Sequence, residues 1–141
     1  MTVSWTFWAF LSAAFAALTA IFGKIGVSDV SADMATLIRT VVIFFVTGAI
    51  VAANGQWQAP SAISARSWVF LILSGAATGA SWLAYYRALS LGDAARVAPV
   101  DKLSIVLVAV FAVVFLGETL SLLHWVGIFL ITAGALILAI F

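Results

Sequence analysis

The chain has 141 residues, of which 66% are hydrophobic and 8% charged, and its formal net charge at pH 7 is +1. Soluble domains carry about 25% charged residues, so this chain has too little polar surface for a soluble globule, and its expected surroundings are the lipid bilayer. Scattered basic residues, no cysteine and one histidine argue against a nucleic-acid partner, a metal site and any cofactor.

The first two membrane-spanning helices are predicted over residues 5–22 and 35–53. A spanning helix needs about 20 apolar residues. The first run meets this length, and no lysine or arginine precedes it as in a cleavable signal peptide, so we expect it to stay in the mature protein. The second must begin before Thr40 to reach this length, which draws Arg39 into the span.

The third and fifth spans are predicted over residues 67–86 and 122–141, where the apolar runs are long enough by themselves. A link that contains Pro60 and several serines precedes the third span. With the fourth span, these segments predict an all-α fold: one domain, residues 1–141, that forms a bundle of five transmembrane helices.

The fourth span needs a separate argument, because its uncharged part begins only at Leu103 and is too short to cross a bilayer. A helix over residues 94–116, with Asp93 as its N-cap, restores the length and places Asp101 and Lys102 at membrane depth. The alternative is a half-length helix with both charges at the interface. We favour the full span, because irregular backbone exposed to lipid is costly.

The charged residues inside predicted spans are the first candidates for a substrate site. A charged side chain at membrane depth costs at least about 2.5 kcal/mol, so it usually faces a wet cavity or a partner. Antiparallel spans place Arg39 and Asp101 at similar depth, and we predict that they pair. Two interpretations stay open: a cavity in which Asp101 or Lys102 binds substrate or a proton, and a structural ion pair that fixes helix register.

A stripe of hydroxyl groups on the third helix is the second candidate. Its members recur at i, i+4, i+7 and i+11, hence on one face: Ser74, Thr78, Ser81 and Tyr85. They either line a cavity or return their hydrogen bonds to the preceding turn. Trp82 and Tyr86 stand beside the stripe and form either a stacking wall for substrate or part of an interfacial aromatic belt.

Small residues mark candidate helix-packing or dimer surfaces, because they let membrane helices approach closely. Gly75 and Gly79 form a GxxxG motif on the third helix, and Gly127 and Gly134 lie two turns apart on the fifth. No nucleophile is paired in sequence with His124. We therefore predict no catalytic residues, and an enzyme is not expected.

The second half of the chain resembles a known transporter family. The end of an EamA domain, the repeat unit of the drug/metabolite transporter superfamily, is similar to a segment that contains Gly117, Glu118, Thr119, His124, Trp125, Gly127 and Gly134. Earlier stretches around Lys24, Arg39 and residues 98–104 look like the five-span bacterial and archaeal transporter group of that superfamily. The resemblance covers essentially the whole chain.

The resemblance implies a function and a partner. Full-length relatives are similar to two fused, inverted units that move small metabolites or amphiphilic compounds across the cytoplasmic membrane. This chain has one unit, so the resemblance implies a homodimer with its site between the copies. Transport of such a small molecule, with export as the expected direction, is the leading function. The alternative is a non-transporting assembly or accessory subunit that pairs with another membrane protein.

The orientation of the chain stays open in sequence. The loops proper contribute Arg87 and Arg96 on one face and Arg66 on the other, and the positive-inside rule is barely decisive at this ratio. An inverted pair built from one sequence needs copies inserted in both directions across the membrane. A nearly equal number of basic loop residues on the two faces permits this. We therefore predict an antiparallel homodimer in contact through the Gly127 and Gly134 face.

Overall fold

The computed structural model describes residues 4–141, and this part of the chain is helical and has no strand. Residues 1–3 of the predicted domain lie outside the described part. The helices are α1 (Trp5–Gly26), α2 (Ala32–Ala53), α3 (Ala65–Leu91), α4 (Ala94–Asp101), α5 (Ser104–Leu116) and α6 (Leu122–Ile140), with a 3₁₀ turn at Pro60–Ala62. The predicted all-α fold is confirmed.

The described helices include five segments long and apolar enough to cross a membrane: α1, α2, α3, α6 and the combined stretch Ala94–Leu116. Most of their large apolar side chains are exposed; Phe44 is 70% and Phe129 69% accessible. Apolar surface of this extent is not kept in water by soluble monomers. The exposed surface therefore fits a lipid environment.

Two helices continue past the ends that the sequence predicted. Helix α1 continues from residue 22 to Gly26, and α3 continues from residue 86 to Leu91. The prediction ended each helix near its first charged residue. Arginine and lysine are good helix formers, so Lys24 and Arg87 remain helical.

The fourth span is not the single continuous helix that was predicted over residues 94–116. It is divided into α4 and α5 by a turn at Lys102 and Leu103. The N–H groups of Leu103 and Ile105 donate to carbonyls three residues back, at 3.0 Å in both cases. Pro99 lies inside α4 and has no N–H to donate to the turn before it. The chain tightens into 3₁₀-type bonding just after this proline.

The predicted N-cap of this span is correct in position and wrong in mechanism. Asp93 directly precedes α4, and its carbonyl accepts from the Val97 N–H at 2.9 Å. Its side chain makes no capping hydrogen bond. The carboxylate therefore contributes at most through its charge beside the helix N-terminus.

By packing, the chain divides into two units, of which one is Ile21–Leu91. In it, α2 runs antiparallel to α3 and packs along it. Ala32 and Thr36 are buried one turn apart on α2, and Tyr86 and Leu89 are buried on α3. The interior of this unit therefore lies between the beginning of α2 and the end of α3.

The other unit contains residues 4–20 and 92–141, and in it α6 packs against α4 and, less extensively, against α5. Arg96 on α4 donates to the carbonyl of Ala139 at 2.9 Å, close to the end of α6. A capping box starts α6: Ser121 and His124 satisfy each other's backbone and side-chain groups. Both ends of α6 are thus held by side chains.

Candidate functional site

In the unit Ile21–Leu91, the guanidinium of Arg39 lies against two aromatic rings of α3. Its guanidinium carbon lies 3.9 Å from the ring centroid of Trp82 and 5.5 Å from that of Tyr86. The two rings occupy successive turns of one face of α3, and we call them the aromatic shelf. A cation on an aromatic face gains about 2 kcal/mol when it is desolvated. Insertion of an arginine costs at least about 2.5 kcal/mol, and the shelf offsets part of that cost.

The end of α1 packs against α3 next to Tyr86 of the aromatic shelf. Tyr86 is 5% and Leu89 0% exposed. A Cβ built on Gly23 would lie 3.3 Å from the Tyr86 hydroxyl and 3.4 Å from a methyl group of Leu89. The ammonium of Lys24 also donates to the Leu89 carbonyl at 2.7 Å. Glycine at position 23 therefore lets α1 approach α3 closely at the hydroxyl end of Tyr86.

This arrangement is not predicted by the sequence patterns. Arg39 and Trp82 are both candidate site residues, but Arg39 is expected to pair with Asp101. The signal was present: the link after α2 is short, so α2 and α3 run antiparallel, and the beginning of α2 meets the end of α3. The predicted pair between Arg39 and Asp101 joins the two units and stays a prediction.

Asp101 and Lys102 lie where the fourth span is interrupted. The Lys102 ammonium is 3.0 Å from a carboxylate oxygen of Asp101, and the side chains are 54% and 35% exposed, respectively. An exposed ion pair contributes only about 0–1 kcal/mol to stability. Its consequence here is chemical: a carboxylate and an ammonium stand side by side at a break in an apolar helix.

The hydroxyl stripe on α3 is largely open. Ser74, Thr78 and Ser81 are exposed, and Tyr85 is half-buried in edge-to-face contact with Tyr86, at 6.4 Å between centroids. Thr78 donates to the Ser74 carbonyl at 2.8 Å, which is the bond to the preceding turn that the structural interpretation required. A cavity lined by the stripe stays a prediction.

The four predicted packing glycines are not required by close contacts inside their own units. A Cβ added at any of them meets no atom of its unit within 4 Å, among the described residues: Gly75, Gly79, Gly127 and Gly134. Their backbones are therefore accessible to another chain. Contact with a second copy through Gly127 and Gly134 stays a prediction.

Comparison with known proteins identifies the family. The profile of the EamA-like transporter family matches residues 3–140. A protein of Sinorhizobium sp. named "Uncharacterized transporter in cobO 3'region" is 69% identical over 141 residues, which are the whole of both chains. No solved structure matches significantly. The five apolar helices and these matches show a multi-pass integral membrane protein with a transporter role, and the chain belongs to the EamA-like transporter family.

Proposed function

We propose that the protein exports a small metabolite or amphiphilic compound across the cytoplasmic membrane and that it does so as a dimer. The family and the transporter-named relative support transport, as opposed to catalysis. The direction, the membrane, the class of compound and the pairing are parts of the proposal. Asp101 and Lys102, together with Arg39 and the hydroxyl stripe, are the proposed substrate contacts.

The observation that carries the proposal is the charged break between α4 and α5. Secondary transporters form substrate and ion sites where membrane helices are discontinuous, because half-helix ends and unwound backbone offer polar groups to the substrate. At Lys102 and Leu103 the backbone N–H groups stay hydrogen-bonded in a 3₁₀-type turn, so the polar groups that stand out at this point of the span are the two charged side chains. Asp101 and Lys102 stand at this break, half-exposed within a span of 23 residues.

Pairing follows from the size of the unit. The two-unit members of the superfamily that the sequence resembles have their site between inverted units, and this chain has one unit. The Sinorhizobium relative, which the chain matches over its whole length, carries a transporter name, and this supports function by chains of one unit. A second copy is the simplest source of the missing half.

The test is transport by the purified chain in liposomes. Under an imposed proton or substrate gradient, we expect the wild type to move a metabolite or dye. We expect Asp101→Asn and Lys102→Met to slow this movement at least about tenfold, because each removes a charge held at membrane depth. Asp29→Asn is the matched control, since Asp29 is exposed and accepts a hydrogen bond from the adjacent Ser28.

Three results would overturn the proposal. The first is a wild-type protein that moves no metabolite, dye or cation under any gradient. The second is a pair of variants that are less stable but fully active in the surviving fraction, which would make the charges structural. The third is co-purification of one stoichiometric partner protein without transport, which would favour the accessory-subunit alternative.

A further inference from the structure

We propose that Arg39 on its aromatic shelf is an oxyanion-binding site, and that it receives the carboxylate or phosphate group of the transported compound. The proposal rests on the transport function given above and adds a class of substrate: organic anions with an apolar body.

The aromatic shelf does not use the hydrogen-bonding capacity of Arg39. A guanidinium has five N–H donors in one plane, and their spacing matches the two oxygens of a carboxylate or phosphate. Contact with a ring at 3.9 Å stabilises the charge through the face of the ring. It supplies no oxygen acceptor to the donors, so they remain available to an anion.

The unit itself supplies no anion to Arg39. Within residues 21–91, no carboxylate lies within 4.0 Å of the guanidinium, and no hydrogen-bond acceptor contacts it. The acidic residues there are Asp29, which accepts from Ser28, and Asp33, in the first turn of α2. Arg39 is half-buried in a span of high hydropathy. An arginine so placed favours an anion brought from outside the unit.

Three other cations of the described residues have local partners, whereas Arg87 is exposed and has no aromatic face beside it. Lys24 bonds a backbone carbonyl at the end of α3, Arg96 bonds one at the end of α6, and Lys102 pairs with Asp101. Each of these three cations thus has an oxygen acceptor within its own unit, which Arg39 does not. Arg66 also has an aromatic neighbour, Phe70, but at 5.9 Å, and Arg66 itself is exposed. Arg66 is therefore the matched control for Arg39.

The aromatic shelf also indicates what the anion is attached to. Trp82 is partly exposed, whereas Tyr86 is buried. The guanidinium lies 3.9 Å from the centroid of this partly exposed indole, so a ligand that places its anionic group on Arg39 brings its adjoining atoms near an apolar ring. A flat or apolar body gains from this contact, and a small hydrated anion does not. Benzoate should therefore bind more tightly than inorganic phosphate.

The test uses Trp82 as the reporter of its own site. The other five tryptophans are replaced by phenylalanine: Trp5, Trp8, Trp57, Trp68 and Trp125. In nanodiscs of neutral phosphatidylcholine, Trp82 emission is titrated with benzoate, inorganic phosphate and benzylamine. We expect a saturable change with benzoate, a weaker one with phosphate and none with benzylamine. Arg39→Gln should weaken benzoate binding at least about tenfold, and Arg66→Gln should leave it unchanged.

Lipid phosphate is the competing source of the same chemistry, and a second set of nanodiscs separates the two. If phosphatidylglycerol alone shifts Trp82 emission and abolishes the benzoate response, the site binds headgroups, and the assignment to substrate is overturned. No response to any anion, or equal affinity in Arg39→Gln, overturns the site itself. If Arg39→Gln does not fold, Arg39→Lys is the deciding variant. Lysine keeps the positive charge but lacks the planar set of N–H donors that binds two oxygens of an anion. Unchanged benzoate affinity in Arg39→Lys would refute the proposal.

Failure of this site and failure of the proposed function are distinguishable, because binding is read without transport. Anion binding in a protein that moves nothing in liposomes leaves the site standing and overturns transport. Transport of an organic anion by Arg39→Gln at the wild-type rate would support the transport function and overturn the anion site at Arg39. If the site functions as proposed, Arg39→Gln loses both benzoate binding and transport of organic anions, and Arg66→Gln loses neither.

Discussion

Replacement of Gly23 by leucine tests the packing beside the aromatic shelf. The new Cβ would stand 3.3 Å from the Tyr86 hydroxyl and 3.4 Å from a Leu89 methyl group, so this atom alone requires shifts of a few tenths of an ångström. The remaining carbons enter a region already filled by two side chains that are 5% and 0% exposed. Overpacking of this kind costs about 1–3 kcal/mol, and the better helix propensity of leucine returns about 0.8 kcal/mol.

Gly26→Leu is the matched control, because Gly26 lies one turn further along α1 and a Cβ there meets no atom within 4 Å among the described residues. It has the same change in composition without the collision, at the last residue of the helix. We expect Gly23→Leu to be less stable than Gly26→Leu by about 2 kcal/mol, measured as resistance to unfolding by sodium dodecyl sulfate in mixed micelles and followed by far-UV circular dichroism. Equal midpoints for the two variants would refute the packing argument.

Three smaller changes probe other contacts. Lys24→Met removes the donor to the Leu89 carbonyl and should cost about 1–2 kcal/mol in the same unfolding assay. Gly117→Ala should cost about 1–2 kcal/mol, because its φ of 69° disfavours an L-residue; Gly117→Asn should cost less. Ser121→Ala removes half of the capping box and should weaken the first turn of α6 by about 1 kcal/mol, measured by amide hydrogen exchange.

Each of these changes has a result that would contradict it. A Lys24→Arg variant as unstable as Lys24→Met would show that packing, rather than the hydrogen bond, matters. Equal costs of alanine and asparagine at position 117 would show that the left-handed backbone is not the cause. Faster exchange throughout α6 after Ser121→Ala, instead of in its first turn, would mean that the cap holds the whole helix.

The helical architecture was predictable from sequence because bilayer thickness sets the length of a span and apolar runs reveal it. Helix ends were less predictable. Lys24 and Arg87 mark the predicted ends of α1 and α3, yet a charged residue in the last turns of a membrane helix can remain helical and reach a polar partner, as Lys24 does at the Leu89 carbonyl. Length and hydropathy identify a span without determining where its last hydrogen bond forms.

The candidate site was predictable only in part. Arg39 and Trp82 are predicted site residues because Arg39 is a charge inside an apolar span and Trp82 lies beside the hydroxyl stripe. Their contact at 3.9 Å depends on which faces of α2 and α3 meet, and helices that are apolar all round give little periodicity to indicate this. The break at Lys102 was missed for a related reason: Pro99 removes one donor, but whether a helix then kinks, tightens or ends is decided by tertiary packing.

The turn at Lys102 and Leu103 gives the fourth span a property that a continuous helix lacks. A 3₁₀ segment advances about 2.0 Å and turns about 120° per residue, whereas an α-helix advances about 1.5 Å and turns about 100°. Rewinding this turn into α-helix would therefore shorten the span by about 0.5 Å and rotate the 13 residues of α5 by about 20° for each residue converted. Such a conversion would move α5 along and around its own axis relative to α4, beside the charges of Asp101 and Lys102.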